Sequence, residues 1–272
     1  MPDAPVHVYV HAGYHKTGTT SFQDFFAANR KALKPFLDYY GKADFLAAGS
    51  HARIYAQRPF PWRLWRFRYS LRRFLGAIPA APVILLSRET FSGGMPGHRQ
   101  LGGRLMMSYG RAAKPLADTI IAELRRRFGA ETRITLVYTT REREAWIRSV
   151  YGHLLRSIRI TDDFDGFRAR FPDLPGPTQE AREMATYLQP LPVLIIPLEQ
   201  YGTNPEGPAT ALLDLLDIPV GIRARLKPAK RSNSSDPHSL QQAFLTLNRG
   251  PLGKAALKRE KDRLLAEARN PT

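Results

Sequence analysis

Residues 6–12 (VHVYVHA) alternate apolar and polar positions and are rich in β-branched and aromatic types, the pattern of a strand. A glycine-punctuated turn follows at 13–18. From Thr19 onward, TTSFQDFFAANRKAL places Phe22, Phe25, Phe26 and Leu33 on one face at steps of three and four, the spacing of an amphipathic helix. Residues 83–87 (VILLS) form a short continuous apolar run, as expected of a parallel strand buried on both faces. Residues 133–139 (RITLVYT) and 193–197 (VLIIP) read as two more strands. Helical patterns recur at 114–129, at 142–158, where Trp146, Val150 and Leu154 lie four apart, at 206–217, and in two stretches between about 238 and 269. Strands alternating with helices predict an α/β fold with a mostly parallel central sheet. The Pro/Gly-rich stretches 92–103 and 172–178 read as long loops of the kind that lie over a site. No linker divides the chain, so residues 1–272 are expected to form a single domain.

Composition narrows the partners rather than the fold. With 272 residues, 43% of them hydrophobic, the chain can bury one substantial core. It carries 41 Lys+Arg against 24 Asp+Glu, a net charge of +17. Such a balance points to anionic partners: nucleotide phosphates, nucleic acid, acidic glycans or an anionic membrane surface. Cysteine is absent, which excludes disulfides, thiol catalysis, iron–sulfur clusters and cysteine-based zinc sites, and suits a reducing cytoplasm. MPDAPVHVYV has neither the charged start nor the apolar run of a secretory leader, and no stretch approaches the ~20 apolar residues of a spanning helix. A cytoplasmic protein, in peripheral contact with a membrane at most, is expected.

The most informative motif is Gly13-Tyr14-His15-Lys16-Thr17-Gly18-Thr19-Thr20, between the first strand and the first helix. Glycines let successive backbone N–H groups curl inward, and the helix that follows adds free N–H groups and the positive end of its dipole. Lys16 adds a point charge and the threonines add hydroxyl donors, so the loop is a candidate cradle for a phosphate or sulfate. It is not a Walker A loop, because Lys16 precedes Gly18 rather than following the second glycine. A second basic element, from Val137 to Tyr151, puts Arg141 at a strand end and Ser149 eight residues on. Ligands of open α/β sheets bind at that edge. An Arg and a Ser so placed can converge on one phosphate if the turn between them folds back; standing alone, Arg141 reads equally as a solvated charge.

Taken together, the two elements resemble the sulfotransferases that use 3′-phosphoadenosine 5′-phosphosulfate. Tyr14 to Thr20 is similar to that family's strand–loop–helix of the form [YPH]-[PH]-K-[ST]-G-T-[TS], and Arg141 with Ser149 is similar to its later strand-end Arg and following Ser. The variant HxGxHKTGTTSxQ, His11 to Gln23, resembles the bacterial sulfotransferase-family proteins in particular. The resemblance implies a three-layer α/β/α fold of the P-loop type. It implies that His15, Lys16, Thr17, Gly18, Thr19 and Thr20 bind the phosphosulfate end, that Lys16 also meets charge on the departing oxygen, and that Arg141 and Ser149 bind the 3′-phosphate. No metal is expected. Ile196 to Pro205 resembles a structural strand-end segment of the family, and Arg231 to Ser235 resembles an N-x-S loop near its C-terminus. The family's Arg-Lys-Gly loop for the 3′-phosphate has only Arg249-Gly250 and Gly253-Lys254 as weak counterparts.

Sulfuryl transfer also needs a base for the acceptor's proton. Glu89, in Ser87-Arg88-Glu89-Thr90, follows the strand at 83–87, where the family often carries its catalytic His; Arg88 would be an accessory cation. His51 falls in the region after the first helix, where related enzymes place a base, and is the second candidate. His15 and His98 come behind them. Glu89 reads otherwise as a strand-end cap, and His51 as an ordinary loop histidine. Residues 58–74 (RPFPWRLWRFRYSLRRF) hold six arginines and six aromatics. They fit an acceptor-binding lid, an amphipathic anchor on an anionic membrane, or a helix with its aromatics in the core and its arginines in solvent. Nucleic acid is not expected, for no recognition motif accompanies the charge. The leading expectation is an enzyme moving the sulfuryl group to a hydroxyl or amine of a carbohydrate, lipid or small molecule. A P-loop kinase and a non-catalytic polyanion-binding protein are the alternatives.

Overall fold

The computed structural model describes residues 5–98, 100, 103–230 and 238–269. The chain gathers into two compact units, one of residues 1–143 and 175–232, the other of 144–174 and 233–272.

The first unit holds five parallel strands in the order β2-β3-β1-β4-β5. They are β1 (His7–His11), β2 (Asp38–Tyr40), β3 (Val83–Ser87), β4 (Arg133–Thr140) and β5 (Val193–Pro197). β1 is central, paired in register with β3 from His7↔Val83 to His11↔Ser87 and with β4 from His7↔Arg133 to His11↔Val137. Helices flank the sheet, giving the three-layer α/β/α arrangement. The helices of ten or more residues are α1 (Thr19–Ala28), α2 (Leu46–Gln57), α3 (Pro61–Ala77), α4 (Gly110–Phe128), α5 (Arg143–Ser157), α6 (Pro177–Tyr187), α7 (His238–Arg249) and α8 (Lys254–Arg269).

Because strand side chains alternate, Tyr9, Leu85, Val137 and Ile196 share one sheet face, where they pack with Phe22, Phe25 and Phe26 of α1. Val8, Val10, Ile84, Leu86 and Leu136 take the alternate positions and are equally buried. Burial on both faces is why β3 reads as an unbroken apolar run.

Several elements depart from their sequence reading. The helix expected to run from Thr19 through Leu33 stops at Ala28, with a separate turn at Arg30–Leu33. Asn29 causes the break: its Nδ2 donates to Phe25 O (3.0 Å) and Lys227 O (2.9 Å), while Lys227 N donates back to its Oδ1 (2.8 Å). The helix expected at 206–217 is reduced to a 3-10 turn, Gly207–Ala209, and Thr210–Leu213, with Gly207 in the left-handed region (φ 57°) and Pro208 beside it. Residues 58–74 lie largely within one helix, α3, with Pro61 at its first turn. Among the described residues no helix is long and apolar enough to cross a membrane.

The second unit is helical. Trp146, Ile147, Val150 and Leu154 of α5, Phe167, Phe171, and Phe244 of α7 are buried in it. The last carbonyls of α5 find side-chain donors: Asn248 Nδ2 donates to Leu155 O (3.1 Å), and Lys261 Nζ to Leu155 O (2.7 Å) and Ile158 O (2.9 Å). Burial, with Arg159 nearby, pulls the Lys261 ammonium down to about 8.

Candidate functional site

The loop from Ala12 to Gly18 leaves β1 at the carboxyl edge of the sheet, beside the ends of β3 and β4. The connection after β1 runs toward β2 on one side and the connection after its neighbour β4 runs toward β5 on the other, the kind of switch point at which open α/β sheets bind ligands. Two of its residues are left-handed: Lys16 (φ 68°), the one non-glycine residue so placed among those described, and Gly18 (φ 88°). Left-handed residues interspersed with ordinary ones turn successive N–H groups to one side, forming an anion-binding concavity. α1 starts at Thr19, so its first N–H groups, without intrahelical acceptors, face the same region. A Cβ on Gly18 would also stand 2.8 Å from Leu198 Cδ1, so that side chain would have to shift. At Gly13 a Cβ would meet Thr139 Oγ1 at 2.3 Å and His11 Nε2 at 2.4 Å.

A chain of hydrogen bonds fixes this loop to the sheet, and counting protons gives its direction. Thr17 Oγ1 donates to Tyr14 O (2.6 Å), and so does Thr19 Oγ1 (2.8 Å). Thr17 has then spent its only proton, so Thr139 Oγ1 must donate to Thr17 Oγ1 (2.9 Å). Thr139 in turn accepts from His11 Nε2 (3.4 Å), which leaves His11 Nδ1 to accept from Ser87 Oγ (2.7 Å). The network therefore assigns a neutral His11 with its proton on Nε2. Complete burial agrees, pushing the imidazole down to about 3 against the opposing pull of Glu89.

This alters the role expected of the threonines. Thr17 and Thr19 are buried, with their hydroxyls turned inward on the loop's own carbonyl. They shape the loop, and the backbone N–H groups and Lys16 are left as the candidate donors to an anion. Thr20 is exposed at the start of α1.

Glu89 stands beside the loop at the end of β3, in a short 3-10 turn. Gln23 Nε2 of α1 donates to Glu89 Oε2 (3.3 Å) and to Ser87 O (3.3 Å). Ser92 Oγ lies within bonding distance of Glu89 O (2.8 Å) and of Gly13 O (3.3 Å). Burial alone would raise the Glu89 carboxyl, but His15, its own backbone N–H, Arg88 and Gln23 together hold it below the usual range. His15, also buried, is pushed down to about 4, with Glu89 opposing the shift and Lys16 and Arg88 adding to it. Near neutral pH the pair is an ionised carboxylate beside a neutral imidazole. Thus the three polar positions around the loop in HxGxHKTGTTSxQ, namely His11, His15 and Gln23, are all engaged with the β3 edge.

The remaining candidates are described by their own contacts. Arg88 is buried with its guanidinium packed against Gly49 of α2, donating to Thr90 Oγ1 (3.2 Å) in its own turn and to Lys42 O (3.0 Å) in the segment before α2. His51 sits within α2, not in a loop, and its Nδ1 pairs with Ser70 Oγ of α3 at 3.0 Å. Two residues along a helix is about 200° of rotation, so His51 faces away from the side on which Gly49 meets Arg88. His98 is half-buried and held down by burial and by Arg53. Arg141 follows the last residue of β4, and the next N–H, of Glu142, donates to Glu199 Oε1 (2.8 Å) in the segment after β5. Ser149 lies on α5, in the second unit. There Arg249 donates to Thr161 O (2.8 Å), and Lys254 opens α8. The stretch Arg231 to Ser235 lies outside the described residues.

Thr139 is the main contributor that sequence reasoning missed. The only signal for it was its place two residues before Arg141 at a strand end. The aromatic packing of Tyr14 was missed too: its ring centre lies 4.5 Å from that of Tyr109 and 5.3 Å from that of Tyr138. Among the described residues no cluster of three or more His, Asp or Glu is placed to hold a metal ion. No protein-family model matches the chain, and no curated protein matches it in sequence.

Proposed function

We propose that the protein is a sulfotransferase that takes the sulfuryl group from 3′-phosphoadenosine 5′-phosphosulfate and passes it to a hydroxyl or amine of a carbohydrate, lipid or small molecule, acting in the cytoplasm. The observation that carries this reading is the juxtaposition of a lysine-bearing left-handed cradle at Lys16–Gly18 with the ionised, half-buried carboxylate of Glu89. The Lys-before-Gly order in Gly13–Thr20 supports it over a Walker-type kinase.

The co-substrate supplies an activated sulfur bonded to a phosphate oxygen. The chain's residues account for the rest. Backbone N–H groups from the loop and from the start of α1 hold the anionic end without rearranging. Lys16 meets the negative charge that grows on the phosphate oxygen as its bond to sulfur breaks. Glu89 accepts the proton of the acceptor O–H or N–H as the new bond to sulfur forms. Arg141 and Ser149 enter this reading as 3′-phosphate ligands from the resemblance alone.

Calorimetry with 3′-phosphoadenosine 5′-phosphate, beside adenosine 5′-phosphate and magnesium–ATP, tests the proposal. Preference for the 3′-phosphorylated nucleotide without metal, weakened in Arg141→Ala and in Lys16→Ala, is the expected result. Preference for magnesium–ATP would replace the proposal with a kinase. Binding of none of the three would leave the loop as part of a polyanion-binding protein.

A further inference from the structure

Helix α3 packs inward through Phe67, Leu71 and Leu75, which are fully buried at successive steps of four. Its opposite side should be polar, yet it carries rings. Trp62, Trp65 and Tyr69, three and four residues apart, are 50%, 63% and 52% exposed, and Phe60, just before the helix, is 40% exposed. Tyr69 lies two residues from both Phe67 and Leu71, about 200° from the former around the helix. The stripe therefore points away from the core.

The arginines of this helix fall into two groups. Arg68 and Arg72 are accounted for, since both bond the buried carboxylate of Glu123 on α4 at 2.8–3.0 Å. Arg63, Arg66 and Arg73 have no carboxylate partner among the described residues; they lie over the aromatic stripe instead. Arg63 is 4.5 Å and Arg66 6.0 Å from the Trp62 ring centre, and Arg73 is 6.0 Å from that of Tyr69. Arg63 and Arg66 also line a pocket of about 240 Å³ with Trp62, His51 and Ile54. Inside this cluster the Arg63 Nε is shielded from solvent and has no hydrogen-bond acceptor. A shielded donor and two guanidiniums without a carboxylate partner beside one small cavity call for an anion.

We propose that the outer face of α3 docks onto an anionic membrane surface, with one lipid phosphate seated against Arg63 and Arg66 in this pocket and the Trp62, Trp65 and Tyr69 rings at headgroup depth. Aromatic rings with one apolar body and one polar tip favour that interface, and basic side chains next to them draw in acidic lipids. Single-stranded nucleic acid fits less well. It needs open ring faces, and here Trp65 and Tyr69 stack on each other (5.8 Å, 16°), as do Phe60 and Trp62 (6.2 Å, 6°), with Arg63 over the Trp62 ring. A second copy of the chain fits less well again, because two such faces would bring uncompensated arginines together.

The three tryptophans make the test direct. Trp146 is fully buried, so a change in emission on binding reports Trp62 and Trp65. The full chain is mixed with vesicles of phosphatidylcholine alone and of phosphatidylcholine with phosphatidylglycerol, then followed by co-sedimentation and tryptophan emission. Binding to the acidic vesicles with a shift to shorter wavelength, weakening with salt, is expected. The variant R63Q/R66Q/R73Q should bind them roughly 100-fold less tightly. The variant W62S/W65S should lose the shift and bind more weakly. Far-ultraviolet circular dichroism and melting should be unchanged in both, since these side chains lie outside the core. No binding to acidic vesicles at low salt overturns the proposal, as does equal binding by the parent and both variants. Binding of single-stranded RNA through these same residues, without vesicle binding, would replace it with the nucleic-acid reading.

Discussion

His11 Nδ1 and Ser87 Oγ meet at 2.7 Å across the ends of two adjacent parallel strands, at the last registered pair of β1 and β3. The contact is the outer end of the proton-counted chain that runs through Thr139 and Thr17 to the Tyr14 carbonyl. It makes the geometry of the proposed anion cradle depend on a histidine that must remain neutral.

Stability should therefore fall on acidification from well above the usual carboxylate range. The unfolded chain protonates His11 near its ordinary value of 6.5, whereas the folded chain resists until about 3. Between those values the unfolded state binds the extra proton, so stability is full above 6.5 and declines as pH drops toward 3, by about 1.4 kcal/mol per pH unit for such a group. His15, pushed down to about 4, adds to the decline over the upper part of the window. The depressed Glu89 carboxyl acts in the same direction lower down. Urea unfolding across pH 3.5–7 measures the slope; His11→Asn should lower stability near neutral pH and flatten the slope by about one proton.

Thr139→Val keeps the shape of the side chain and removes the hydroxyl that joins His11 to Thr17. Buried partners left unpaired cost about 1–3 kcal/mol. The urea midpoint should drop accordingly, with weaker binding of 3′-phosphoadenosine 5′-phosphate because the loop is no longer tied to β4.

Lys16 sits where glycine would be at ease (φ 68°). Replacing it with glycine should raise stability, by up to about 1 kcal/mol, while eliminating nucleotide binding and transfer. Lys16→Ala should abolish function equally without the gain in stability. Thermal unfolding and calorimetry on the two variants separate strain from charge.

Glu89→Gln should slow sulfuryl transfer by at least about 100-fold while leaving the affinity for the nucleotide product nearly unchanged. His51→Ala should leave the rate alone, since its imidazole is engaged with Ser70. A slow His51→Ala enzyme beside an unaffected Glu89→Gln enzyme would reverse the assignment.

Much of the fold was legible because burial leaves a linear trace. Strands at 83–87 and 193–197 were bounded by their apolar runs, and the glycines and lysine of the cradle announced themselves. β2 left no such trace, being three residues long at the edge of the sheet. α2, with Gly49 beside a buried arginine, lacks a strong apolar stripe, and so His51 was read into a loop. The direction of a side chain in a turn is the least legible quantity of all. Nothing in Thr17-Gly18-Thr19 says that both hydroxyls fold back on Tyr14, because that depends on Thr139, more than a hundred residues away.

The doubly engaged Tyr14 carbonyl has one more effect. A turn this tight cannot hide its oxygens by length, and any that faced the cavity would repel an incoming anion with its lone pairs. With both threonines clasping the Tyr14 oxygen from within, that acceptor is already engaged by the loop's own hydroxyls. If the loop holds an anion as proposed, its selectivity depends as much on which atoms it conceals as on the charge it displays. Serine at either position preserves that concealment, and valine exposes it.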